Sequence, residues 1–233
     1  MSDRPHGQFP LPFDHRPSRG GEDFLVGACN AEAVAWIDRW PDWPGPALAL
    51  AGAPASGKTH LASVFAQKAG GRFITTDDVA TLAPAELAGV DVPLILDDAD
   101  GVAGNAEAEH GLFHLLNHLA GRRGALLLLA ARPPARWGVR LADLGSRLNA
   151  IAVTTIGAPD DALMAALLVK LFADRQLQVG AEVVNYLAAR MERSFAAARS
   201  LVAALDERAL AEQRGVTVAL ARAVLDTLSS AQD

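Results

Sequence analysis

Residues 52–59 read Gly-Ala-Pro-Ala-Ser-Gly-Lys-Thr and follow the apolar run Ala47-Leu48-Ala49-Leu50-Ala51. A glycine, four residues and then Gly-Lys-Thr, set between a buried strand and a helical pattern over His60 to Lys68, has the spacing of a phosphate-binding loop. Gly52 and Gly57 let the backbone curl so that successive amides point inward, where the positive end of the following helix also points. Lys58 would neutralise β and γ phosphate oxygens, and Thr59 would hold Mg²⁺. Gly52, Ala53, Pro54, Ala55, Ser56, Gly57, Lys58, Thr59 and His60 are therefore the candidate cradle for ADP or ATP. A chance glycine turn carrying a lysine would not explain the flanking strand and helix together with an acidic partner strand.

That acidic strand is Leu94-Ile95-Leu96-Asp97-Asp98, an apolar run ending in two carboxylates. In a phosphate-loop fold it is expected to lie beside the loop, with Asp97 in the Mg²⁺ shell and Asp98 orienting or deprotonating a water. Asp100 is expected only to cap the next element of the chain.

The rest of the chain has α/β spacing. Strands are expected at Ala47 to Ala51, Arg72 to Thr75, Val92 to Asp97, Ala125 to Ala131 and Ile151 to Thr155. Continuous apolar runs such as Ala125 to Leu129 indicate strands covered on both faces, hence a parallel sheet between helices. Before the sheet, Asn30 should cap a helix from Ala31 to Trp40 whose Val34, Trp36 and Ile37 face the core. From Pro159 the pattern is helical only. Asp160 starts a helix carrying Leu163, Leu167, Leu168 and Leu171; Val183 and Leu187 mark a second; Leu201 and Leu205 a third; Thr217 caps the last.

With 233 residues, 51% of them hydrophobic, the chain can bury an α/β core and a helical appendage. A net charge of −6 is not that of a phosphate-backbone binder. The single cysteine, Cys29, excludes an internal disulfide framework and reads best as a small buried apolar side chain. No run is long and apolar enough to span a bilayer, so a cytoplasmic protein with no membrane partner is expected. The first nineteen residues carry four prolines and no strand or helix periodicity. They are expected to form an extended arm that either tucks onto the core as a tail or serves for interaction through Gln8-Phe9-Pro10-Leu11-Pro12-Phe13.

Taken together these motifs resemble the AAA+ ATPases, and within them the DnaA-related Hda family. The paired aspartates resemble that family, where most AAA+ proteins carry Asp-Glu. So do Arg132-Pro133-Pro134 and Asp143-Leu144-Gly145-Ser146-Arg147-Leu148. The resemblance makes Arg147 the finger that reaches a neighbour's γ-phosphate, and Arg199 the arginine that the lid lays over the nucleotide. It makes Gln8, Leu11 and Phe13 the anchors of a motif for the DNA polymerase sliding clamp. Where the family often has a polar residue at the end of the fourth strand, this chain has Ala130 and Ala131, so weak intrinsic ATPase activity is expected. The chain stops at Asp233, where DnaA would continue into a helix-turn-helix domain, so sequence-specific DNA binding is not expected.

The expected fold is a three-layer α/β core with a five-stranded parallel sheet at 20–156, an all-helical lid at 157–233 and the arm at 1–19. The resemblance implies a replication regulator, tethered to the clamp, that promotes ATP hydrolysis by DnaA and prevents re-initiation. An adaptor or loader that recruits a partner without stimulating hydrolysis is the alternative, and self-assembly is left open.

Overall fold

The apolar runs fold as strands covered on both faces. A computed structural model describes residues 15–16, 24–87, 92–122 and 124–230. In chain order the described elements begin with β1 (His15–Arg16), β2 (Phe24–Leu25), α1 (Ala31–Asp38), β3 (Ala47–Gly52), α2 (Lys58–Ala69) and β4 (Arg72–Ile74). There follow α3 (Thr76–Thr81), α4 (Pro84–Leu87), β5 (Leu94–Leu96), a 3-10 turn Ala99–Val102 and α5 (Ala106–Ala120). Next are β6 (Leu126–Ala130), a 3-10 turn Pro134–Arg136, α6 (Ala142–Asn149) and β7 (Ala152–Ile156). The lid helices are α7 (Asp161–Asp174), α8 (Ala181–Ala188), α9 (Phe195–Ala211) and α10 (Val218–Ser230).

Five strands make one parallel sheet in the order β4-β5-β6-β3-β7. Alternation along each strand divides the core in two. Ala47, Ala49, Leu94, Leu96, Leu126 and Leu128 face α3, α5 and α6. Leu48, Leu50, Ile95, Leu127 and Leu129 face α1 and α2, where Leu61, Ala62 and Phe65 meet them. Phe65 is 1% exposed and stacks on Trp43 with ring centroids 5.6 Å apart, a side chain whose burial alone is worth about 1.5–3 kcal/mol. The lid has a separate core of Leu163, Leu168, Phe172, Leu187, Leu201 and Leu205, which Leu25 joins from the start of the chain. The Gly157 amide donates to the Cys29 carbonyl at 2.9 Å, so the residues before α1 lie against the sheet-to-lid junction. Among the described residues no helix is long and apolar enough to cross a membrane.

Strand β6 lies between β5 and β3. Three local expectations are corrected. Asn30 stands before α1 without capping it: its Oδ1 accepts from the Gly27 amide and its Nδ2 donates to the Leu25 carbonyl, so the side chain closes the preceding turn. Helix α1 ends at Asp38, short of Trp40, which precedes Pro41 and is disfavoured in helical conformation for that reason. His15–Arg16 pairs antiparallel with Phe24–Leu25, where an unpaired arm was expected. Asp160 and Thr217, in contrast, do accept from the amides of Leu163 and Leu220. Cys29 is half-buried against the lid core, and burial, then the nearby Asp160 carboxylate, pushes its thiol pKa up.

Candidate functional site

The loop after β3 is shaped by close approaches that only certain residues permit. A Cβ at Gly52 would stand 2.8 Å from the Ile156 carbonyl oxygen and 2.8 Å from Ser56 Oγ. Gly57 has φ +96°, a left-handed value natural to glycine. Ala55 also has positive φ, +58°, which costs a non-glycine residue roughly 1–2 kcal/mol. Helix α2 starts directly from Gly57 with no side-chain cap, so the donors of its first turn remain directed into the loop's concavity. Ser56 Oγ is buried without a hydrogen-bond partner among the described residues. Lys58, 9% exposed, donates from Nζ to the carbonyls of Gly52 at 2.8 Å and Ala53 at 2.9 Å. Burial lowers its pKa, while the charges of Asp97, Asp98 and Asp100 act in the opposite direction. Ala53, Pro54 and Ala55 are exposed on the outer rim, and His60 is half-buried in the first turn of α2. An uncapped helix start, an orphan hydroxyl, a lysine and a glycine that allows close approach together fit a phosphate group.

The acidic pair reaches this loop across the end of β6. Thr59 Oγ1 donates to Asp97 Oδ2 at 3.0 Å, although β3, which leads into the loop, and β5 are not neighbours. Register explains how: Ala51 is opposite Ala130 and Leu96 opposite Leu128, so the strands' carboxyl ends share one edge of the sheet. Asp97 Oδ1 also accepts from the Asp98 amide at 3.0 Å. The structure thus brings together Thr59 and Asp97, the two candidates for Mg²⁺. Asp98 is exposed with φ +49°, and its backbone turns the chain into the Ala99–Val102 turn that contains Asp100. Asp98, not Asp100, holds the cap position of that turn.

Of the two candidate arginines, Arg147 is exposed in the last turn of α6, while Leu144 and Leu148 of the same helix are buried. Its guanidinium makes no hydrogen bond or ion pair among the described residues. Arg199 is exposed on α9. At the end of β6, Ala130 is 1% exposed and Ala131 lies at the surface, so neither offers a polar side chain. Gln8, Leu11 and Phe13 lie outside the described residues.

Sequence reasoning passed over Glu109. It is 2% exposed on α5, on the stripe of Leu112 and Leu116, and its carboxylate accepts from three backbone amides. Oε1 takes Gly104 N at 2.9 Å and Arg140 N at 3.1 Å; Oε2 takes Arg140 N at 2.9 Å and Leu141 N at 2.8 Å. Burial by itself would raise its pKa, but the three amides and the Arg140 charge outweigh that and the net shift is downward. The available signal was a carboxylate on the apolar stripe of an amphipathic helix, which demands a partner.

Comparison with known proteins agrees with this arrangement. Residues 160–225 match the family model for the lid domain of Hda. A protein of Haemophilus influenzae is 27% identical over 79% of this chain and 84% of its own length. The chromosomal replication initiator protein DnaA of Caulobacter vibrioides is 32% identical over 55% of this chain, and the match spans 31% of that DnaA. Among solved structures, domain III of the Thermotoga maritima replication initiation protein DnaA superposes with a TM-score of 0.75 at 20% identity, covering 88% of this chain and 94% of that one. DnaA of Aquifex aeolicus bound to AMPPCP gives 0.67 at 21% identity, over 77% of this chain and 62% of that one. The sheet order and helical lid define an AAA+ fold of the DnaA domain III kind. With residues 160–225 matching the Hda lid, the chain is similar to DnaA-related AAA+ proteins of Hda type.

Proposed function

We propose that this protein is a nucleotide-binding regulator of replication initiation that promotes ATP hydrolysis by DnaA while tethered to the sliding clamp, and so prevents re-initiation. The observation that carries the reading is Arg147, an exposed arginine without an internal partner among the described residues, at the end of a packed helix on a chain whose lid is of the Hda type. A guanidinium is charged at every physiological pH and offers a planar set of donors, so a neighbour's phosphate is a fitting acceptor. Supplied in trans, such an arginine accelerates phosphoryl transfer by about 10³ to 10⁵.

The chain's own ADP or ATP is held by the amides of 52–59 and by Lys58, with Arg199 from the lid as a further phosphate or ribose contact. Thr59 and Asp97 are the residues to hold Mg²⁺, whose part when bound is to neutralise phosphate charge. Asp98 orients water, but with alanines at 130 and 131 no second polar group assists it, and the chain's own turnover is slow. This favours a regulator over a self-sufficient motor. Gln8, Leu11 and Phe13 supply the clamp contact, and the protein works in the cytoplasm.

The test mixes the protein with ATP-loaded DnaA and DNA-loaded clamp and follows hydrolysis with and without the clamp. Clamp-dependent stimulation supports the regulator. Recruitment of a partner with no change in hydrolysis would replace it by an adaptor, and hydrolysis by this chain alone at the full rate would make it a motor. Replacing Gln8, Leu11 and Phe13 by alanine should abolish clamp capture while leaving the thermal midpoint unchanged; persistent capture would remove the arm from the reading.

A further inference from the structure

We propose that Glu109 is a positioning residue for Arg147: by accepting from the amides of Gly104, Arg140 and Leu141, its buried carboxylate fixes the start of the finger helix to the segment after the acidic pair. This rests on the proposed role of Arg147 as a finger and deepens it. Gly104 comes directly after the turn that Asp98 initiates, and Arg140 and Leu141 come directly before Ala142, the first residue of α6. One side chain on α5 therefore fastens both ends of the connection between the acidic strand and the finger.

Helix α6 needs such an anchor. Leu141 occupies its cap position and supplies no side-chain hydrogen bond, and the residues before it form a surface loop. Leu144 and Leu148 pack the helix against the core it shares with α5, and at its start the Glu109 carboxylate takes the amides of Arg140 and Leu141. The carboxylate fixes the axial position, and its charge at the amino end also suits the helix dipole. From Leu141 to Arg147 the helix rises roughly 9 Å at 1.5 Å per residue, so a displacement at the start is carried to the guanidinium. A misplacement of about 1 Å in a reacting constellation can cost on the order of 100-fold in rate.

Glu109→Gln tests this with little change in volume. Either orientation of the amide places an NH₂ group against at least one of the N–H donors, because both carboxylate oxygens are acceptors here. With the full chain, ATP-loaded DnaA and clamp, the maximal stimulated rate should fall on the order of 10- to 100-fold while the concentration for half-maximal effect changes little. A merely structural loss would lower the folded fraction and move the half-maximal concentration instead. Amide exchange read by mass spectrometry should accelerate at 140–149, with no change in ADP affinity by calorimetry. In an Arg147→Ala background, Glu109→Gln should add nothing.

Leu141→Pro is the second variant, in case the glutamine does not fold. Leu141 has φ −74°, which proline accepts, and the substitution deletes one of the amides while leaving the carboxylate in place. It should act in the same direction and less strongly. If wild type stimulates DnaA and both variants match it at saturation, or if exchange in α6 is unchanged, the proposal is overturned and the reading of Arg147 stands. If wild type itself has no effect on DnaA, that reading falls and takes the proposal with it.

Discussion

The phosphate loop and helix α6 owe their order to different distances along the chain. The loop is nearly complete within residues 52–59: its curl, its orphan hydroxyl and the lysine that spans it come from one contiguous stretch. Helix α6 holds Arg147 through Glu109, 38 positions earlier in the sequence, and through apolar contacts on α5. A local motif orders itself by backbone geometry, whereas α6 is held by tertiary contacts. The first should tolerate changes elsewhere in the fold, and the second should be sensitive to them.

The largest effect that would sharpen this contrast is that of Arg147→Ala. Stimulated hydrolysis by DnaA should drop by about 10³ or more, because a trans-acting arginine is worth that much and an exposed helix arginine without such a role is worth almost nothing. Single-turnover phosphate release checks it, and an unchanged rate would remove the finger. Next in size is Lys58→Ala, which should weaken ADP binding by at least about tenfold, since amides alone cannot match a charge-assisted contact worth roughly 1.5–3 kcal/mol. Calorimetry on the folded variant reads this directly.

These two residues also show how far the sequence could be read. The curl of the loop around Lys58 was legible because phosphate loops keep fixed spacing, and the three central strands were legible because Ala47 to Ala51, Leu94 to Leu96 and Leu126 to Ala130 are apolar without interruption. Arg147 was singled out only by resemblance to a family pattern. The strand order was not legible, because it depends on crossovers that local patterns do not encode. Asn30 was misjudged because an asparagine before a helix can equally close the turn that precedes it. Glu109 went unseen because its partners are backbone amides, and amides leave no mark in a sequence.

Smaller effects would test whether the two regions are held differently. Glu109→Ala leaves amides of Gly104, Arg140 and Leu141 without an acceptor and should cost about 2 kcal/mol, read as a lower urea midpoint. Because the folded-state pKa of Glu109 is depressed, its contribution is complete above the unfolded value of about 4.3 and is lost as pH falls through the lower folded value. Midpoints of wild type and variant should therefore converge in acid, and a gap that persisted there would show that ionisation is not what matters. Ala55→Gly is the smallest. Relief of the left-handed alanine should raise stability by up to about 1 kcal/mol, with no change in α6 exchange if the loop is ordered locally.

The central claim is that the two regions act on two different nucleotides, the loop on the chain's own and α6 on that of DnaA. Loading DnaA with γ-labelled ATP and this protein with unlabelled ADP, then mixing them with DNA-loaded clamp, asks whose phosphate is released. The expected result is release of label from DnaA on addition of the wild-type chain and none on addition of Arg147→Ala. Label retained on DnaA in both mixtures, with release only when this protein carries the labelled ATP itself, would contradict the claim.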